Sequence, residues 1–110
     1  MAKLEGRLHG DFGQILEEID QLVMKSVSAS LEEKSDFAVK DCLCAVRVYE
    51  RYSFSGGNRL SLSITLLKVG EAVYLSAITA GGFFGRFKAD HDQIWRAAGK
   101  LSEAPRGDKG

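Results

Sequence analysis

Chemistry-bearing residues are scarce in this chain. Its 110 residues include one proline, two cysteines, two histidines and one tryptophan, and its formal net charge is zero. Cys42 and Cys44 are two apart in an alternating run, so on a strand they share a face about 7 Å apart, a poor fit to disulfide geometry. Two cysteines supply half of a tetrahedral zinc site, and a complete one would need His9 and His91 to converge as well. They read as plain thiols in a core, with no metal and no cofactor expected. Fifteen acidic against fifteen basic residues give no bulk electrostatic case for nucleic acid or an acidic membrane, and a balance near zero favours self-association. No apolar run approaches the roughly 20 residues that span a bilayer. The opening MAKLEGRLHG holds no apolar segment of signal-peptide length, so a soluble, cytoplasmic protein is expected. There is no nucleophile–base–orienter set, no carboxylate pair at a recognisable spacing, no phosphate loop and no zinc spacing. GGFFGRFK (residues 81–88) lacks the strand–helix context of a dinucleotide fingerprint. No catalytic residue is assigned, and the enzyme question leans towards no.

What the chain does have is alternation. Residues 42–54 and 59–66 are two period-two runs joined at SGGN, and a third follows Val69-Gly70, which predicts an antiparallel meander. In the second run Leu60, Leu62, Ile64 and Leu66 share one side, and Arg59, Ser61, Ser63 and Thr65 the other. In the first run Cys42, Cys44, Val46, Val48, Tyr52 and Phe54 alternate with Leu43, Ala45, Arg47, Tyr49, Arg51 and Ser53. If both more-apolar sets face one core, even residues pair with even. That requires an odd loop, three residues around Gly56 and Gly57 with one glycine at positive φ. In the third run Val73, Leu75 and Ala77 point inward and Tyr74, Ser76 and Ile78 outward, with Leu66 set opposite Val73.

Elsewhere, residues 3–9 alternate as a first strand, Leu4, Gly6 and Leu8 against the polar side of Lys3, Glu5, Arg7 and His9, placed near a sheet edge where its charges discourage pairing. Asp11 caps a helix whose stripe is Phe12, Ile15, Leu16, Ile19, Leu22 and Val23. Its solvated side holds Glu17, Glu18, Asp20 and Gln21. Ser26–Glu32 alternates with Val27, Ala29 and Leu31 inward, and residues 33–41 connect it to the hairpin, with Phe37 and Val39 dipping toward the core. The glycines at 81, 82 and 85 permit positive φ or close backbone approach. Asp90 caps a second helix carrying Ile94, Ala98 and Leu101, and residues 103–110 form a disordered tail. The expected fold is α+β, one domain over residues 1–102. It is an antiparallel meander sheet of five to six strands with two helices on one face, in the order β-α-β-β-β-β-(β)-α, similar to a helix-grip arrangement by analogy.

The strings CAVRVYERYSFSGGNRLSLSITL and LSAITAGG, with LHGDF and SASLEEKSDF before them, resemble a family of small bacterial proteins that carries only a domain-of-unknown-function label. The resemblance covers about residues 4–100. It implies no activity and no site residues.

Three features could carry function. By parity Glu50 falls on the apolar face between Val48 and Tyr52, where a carboxylate is costly unless paired; either it lines a groove or it escapes to water or an arginine. The outer face, with Arg47, Tyr49, Arg51, Ser63, Tyr74 and Ile78, suits an interface or a plain wet surface, and a single-strand nucleic-acid platform less well. Phe83, Phe84 and Phe87 near Trp95 could lid an apolar pocket or close the core. The expected protein is a binding module that forms a homodimer through its outer sheet face. The alternative is a small apolar ligand held between sheet and C-terminal helix by Glu50, Tyr52, Phe83, Phe84, Phe87 and Trp95.

Overall fold

The computed structural model describes residues 2–52 and 59–81. The expected positive-φ glycine at Gly56 or Gly57, the Phe83–Phe84–Phe87 segment, Trp95, the second helix and the tail lie outside the described residues. Within them the order is β1 (Ala2–Leu8), α1 (Phe12–Val23), β2 (Ser30–Val39), β3 (Cys42–Tyr52), β4 (Arg59–Val69) and β5 (Ala72–Ala80). The fold is α+β, a five-stranded antiparallel sheet ordered β1-β5-β4-β3-β2 with one helix among the described residues. The meander runs β2 to β5, and β1 closes beside β5, so among the described residues β4 is the middle strand and β1 and β2 are the two edges.

The helix starts where its cap requires. Asp11 is extended, and its carboxylate accepts a hydrogen bond from the Gln14 amide at 2.9 Å, satisfying one of the four unpaired donors of a first turn. Ile15 and Ile19 are fully buried, and Phe12, Leu16, Leu22 and Val23 pack around them. They meet Leu8 of β1, Ile64 and Leu66 of β4, and Val73, Leu75 and Ala77 of β5, all buried. A side chain of this kind contributes about 1.5–3 kcal/mol when fully buried. The inward sets expected for the first strand, for β4 and for β5 therefore stand. The β4–β5 turn is two residues, Gly70-Glu71, and places Leu66 opposite Leu75 rather than Val73. The shift is two residues, so the faces are preserved.

Strand β3 differs from expectation. Tyr52 pairs with Arg59 and Tyr49 with Leu62, so six residues (53–58) intervene and even residues pair with odd. The helix side of β3 thus carries Ala45, Arg47, Tyr49 and Arg51. Cys42, Cys44, Val46, Val48, Glu50 and Tyr52 face the other way. Tyr49 is 1% exposed, and its hydroxyl donates to the Asp20 carboxylate of α1 at 2.7 Å. Arg47 has an 11% exposed side chain and reaches Asp36 at 2.9 Å. Its guanidinium also donates to the carbonyls of Ser35 and Val46. Apolar content alone selects the opposite set. The six-residue connection decides, and the outcome is tolerated because Tyr49 finds a partly buried acceptor on the helix and the Arg47 guanidinium reaches Asp36.

Strand β2 also departs from expectation. It begins at Ser30, and Ser26 to Ala29 lie in the turns that follow α1, with Val27 95% exposed. The segment expected to be a connector is β2 itself, joined to β3 by the two-residue turn Lys40-Asp41, with Lys40 at φ 55°. Phe37 and Val39 do not dip inward; they pair with Cys44 and Cys42 on the face away from α1. A register shift between Leu31 and Glu33 bulges this edge, and Glu32, Glu33, Lys34 and Asp36 charge it, both devices that discourage a further strand.

Gly81, where β5 ends, has φ 85°, and a Cβ there would lie 2.6 Å from the Arg59 carbonyl oxygen. Gly81→Ala meets both a left-handed backbone and a backbone clash, so a loss of about 2–3 kcal/mol is expected. Gly70, at φ 60° with open space around it, should cost only about 1 kcal/mol as alanine. Urea denaturation of the two variants checks the order, and equal losses would contradict the close approach. At Tyr49, burial first and the Asp20 hydrogen bond second push the phenol well above its ordinary value of 10.0. Its contribution is therefore full below about pH 10 and drains away as pH rises through the folded-state value. Tyr49→Phe should lose about 1 kcal/mol at pH 7 and show a flatter decline than the parent between pH 9 and 12, read by denaturation across that range.

Candidate functional site

The face of the sheet away from α1 can be read row by row from the strand register. Nearest the two tight turns, Val39, Cys42, Val69 and Ala72 lie side by side across β2, β3, β4 and β5. The next row spans all five strands as Phe37, Cys44, Leu67, Tyr74 and Arg7. A third holds Ser35, Val46, Thr65, Ser76 and Glu5, and a fourth Glu33, Val48, Ser63, Ile78 and Lys3. Apolar character is concentrated at the turn end and falls off toward the serines. Phe37 is 62% exposed, Val39 63%, Val69 45% and Tyr74 42%. Large apolar side chains left open in adjacent rows form one continuous patch, the kind of surface that marks a contact site.

Polar groups frame the patch. The Ser76 hydroxyl of β5 donates to Glu5 of β1 at 3.0 Å, and Lys3 of β1 lies 3.9 Å from the same carboxylate. An open hollow of about 440 Å³ crosses β1, β5 and β4, lined on this face by Glu5, Arg7, Thr65, Leu67, Tyr74 and Ser76. At the far end of β3, Arg59 is 3.3 Å from the Glu50 carboxylate, sits 5.3 Å from the centroid of the Tyr52 ring, and donates to the Tyr52 hydroxyl at 3.0 Å. The Ser28 hydroxyl donates to the Tyr52 carbonyl at 3.0 Å and accepts from its amide at 3.3 Å, tying that strand end down. Glu50 is therefore an arginine-paired carboxylate at a strand end rather than a buried acid facing the core.

Of the residues expected at an interface, Ser63, Tyr74 and Ile78 are on this face. Arg47, Tyr49 and Arg51 are on the helix side, so the expectation for those three is corrected by the register of β3. Glu50 and Tyr52, expected to line a groove on the core side, are on the face away from α1 instead. Phe83, Phe84, Phe87 and Trp95 lie outside the described residues. Cys42 and Cys44 are half-buried free thiols on this same face rather than core thiols. Among the described residues no three of His, Cys, Asp and Glu come together as metal ligands, and no helix is long and apolar enough to cross a membrane.

The residues that sequence reasoning missed are Phe37, Val39, Cys44, Val46, Val48 and Leu67. The usable signal was Phe37-Ala-Val39 and Cys42-Leu-Cys44 flanking Lys40-Asp41: a two-residue turn puts all four side chains on one face. No curated protein matches the chain. A family model matches residues 1–91, a span that takes in the helix, all five strands and both faces of the sheet, and the chain belongs to that family, the family of unknown function DUF6054.

Proposed function

We propose that this protein is an interaction module that binds a second copy of itself through the face of its sheet away from α1. The supporting observation is the row of exposed Phe37, half-buried Cys44 and Leu67, and exposed Tyr74, flanked by exposed Val39 and Val69. An apolar surface of this continuity costs free energy in water and gains it back when covered. The absence of net charge leaves no overall repulsion between copies. The extent also suits a pair. Five strands about 4.8 Å apart and about nine residues long present roughly 700 Å² each, close to the ~800 Å² per partner of a standard stable interface.

We also propose that the chain acts in the cytoplasm. The enzyme reading ranks below the binding one, because the face presents apolar surface and paired charges rather than a nucleophile with its base.

Sedimentation velocity from micromolar to millimolar protein is the test. The parent chain should shift from monomer to dimer as concentration rises. Phe37→Asp, at a side chain that the monomer leaves largely in solvent, should keep the same far-UV circular dichroism and weaken the dimer at least tenfold. A parent chain that stays monomeric throughout would overturn the proposal.

A further inference from the structure

Resting on that reading, we infer that the two copies are related by a two-fold axis running along the middle strand β4, in the plane between the sheets. The order β1-β5-β4-β3-β2 leaves few ways to lay this face on itself. An axis along β4 keeps every residue at its own level and exchanges left for right. Each β1 then lies over the partner's β2, each β5 over the partner's β3, and β4 over itself.

The row contents fit this operation better than an axis across the strands. The apolar rows at the turn end meet each other, with Leu67 against its own copy on the axis and Cys44 against the partner's Tyr74. Lys3 comes to the level of the partner's Glu33, and Arg7 to that of the partner's Phe37, a cation over a ring. Thr65 and Ser63 meet themselves. The edges are complementary in charge: on this face β1 carries Lys3, Glu5 and Arg7, a net positive edge, and β2 carries Glu33 and, at its bulge, Glu32, whose carboxylate accepts from the Ser30 hydroxyl. An axis across the strands would bring Val39 and Val69 over the opposite end, where Glu50, Arg59 and Ser61 are, and leave the apolar rows facing charge. Electrostatic matching of this sort fixes register and excludes the wrong arrangement more than it adds affinity.

The arrangement makes a charge-exchange test possible. Lys3→Glu and Glu33→Lys, both at exposed side chains, should each weaken the homodimer about three- to tenfold at low salt, since an exposed pair is worth little and each dimer holds two. Mixing the two variants should restore parental affinity, because both contacts in the mixed dimer again join opposite charges. The effect should shrink at 1 M salt. A distance measurement is independent of this. Glu71 is exposed in the β4–β5 turn, and an axis along β4 brings both copies of that turn to one end. Spin labels at Glu71→Cys, in a Cys42→Ala/Cys44→Ala background, should lie within roughly 25 Å, given sheets about 10 Å apart. Turns at opposite ends would be separated by about 35 Å or more. A dimer with the long distance and no restoration on mixing overturns this geometry and leaves self-association standing. Absence of any dimer in the parent chain overturns both.

Discussion

The number of residues between Tyr52 and Arg59 is even, and the rest of the molecule follows from that. Antiparallel partners have a fixed sum of residue numbers, so an even connection sets odd residues of β3 beside even residues of β4. Leu60, Leu62, Ile64 and Leu66 are committed to α1 by their branched side chains and by Ile15 and Ile19. The six-residue connection then obliges Ala45, Arg47, Tyr49 and Arg51 to share that side. The chain accommodates two arginines and a tyrosine there because each reaches a partner or the rim, as Tyr49 does at Asp20 and Arg47 at Asp36. One fewer residue in the connection would reverse every side chain of β3.

The second consequence falls on the other surface. Once the odd residues are spent on the helix side, the more apolar even set of β3 has nowhere to go but outward. Two-residue turns at Lys40-Asp41 and Gly70-Glu71 carry the same parity into β2 and β5, so Phe37, Val39, Cys44, Val46, Leu67 and Tyr74 collect on one surface. The α1 side is a conventional packed core. The opposite side is a half-core, apolar at the turn end and serine-rich at the other. A sheet with one solvated side usually shows a clean division between apolar-in and polar-out, and this one does not.

Where a single face was apolar, the sequence was legible. Asp11 and the spacing of Ile15 and Ile19 located the helix. Leu4, Leu8 and the β4 and β5 sets were placed correctly because their opposite sides are charged or serine-rich. Residues 42–52 were illegible for a physical reason: both sides of the strand are partly apolar, and the deciding quantity was a loop length hidden among glycines and serines. Residues 30–39 misled in another way, since four charged side chains in a row of ten resemble a connector unless they are recognised as edge protection. The surface was thus half seen. Ser63, Tyr74 and Ile78 were placed on it, whereas Arg47, Tyr49 and Arg51 were assigned to it by the wrong parity.

The bulge between Leu31 and Glu33, with the charges around it, bears on how far any assembly can grow. A free strand edge is an open-ended connector: each added chain presents another edge, and growth continues into fibres. Here that route is obstructed on β2, whereas a flat side of a sheet can be covered only once. An assembly through the proposed face would therefore close as a finite particle rather than polymerise along β2.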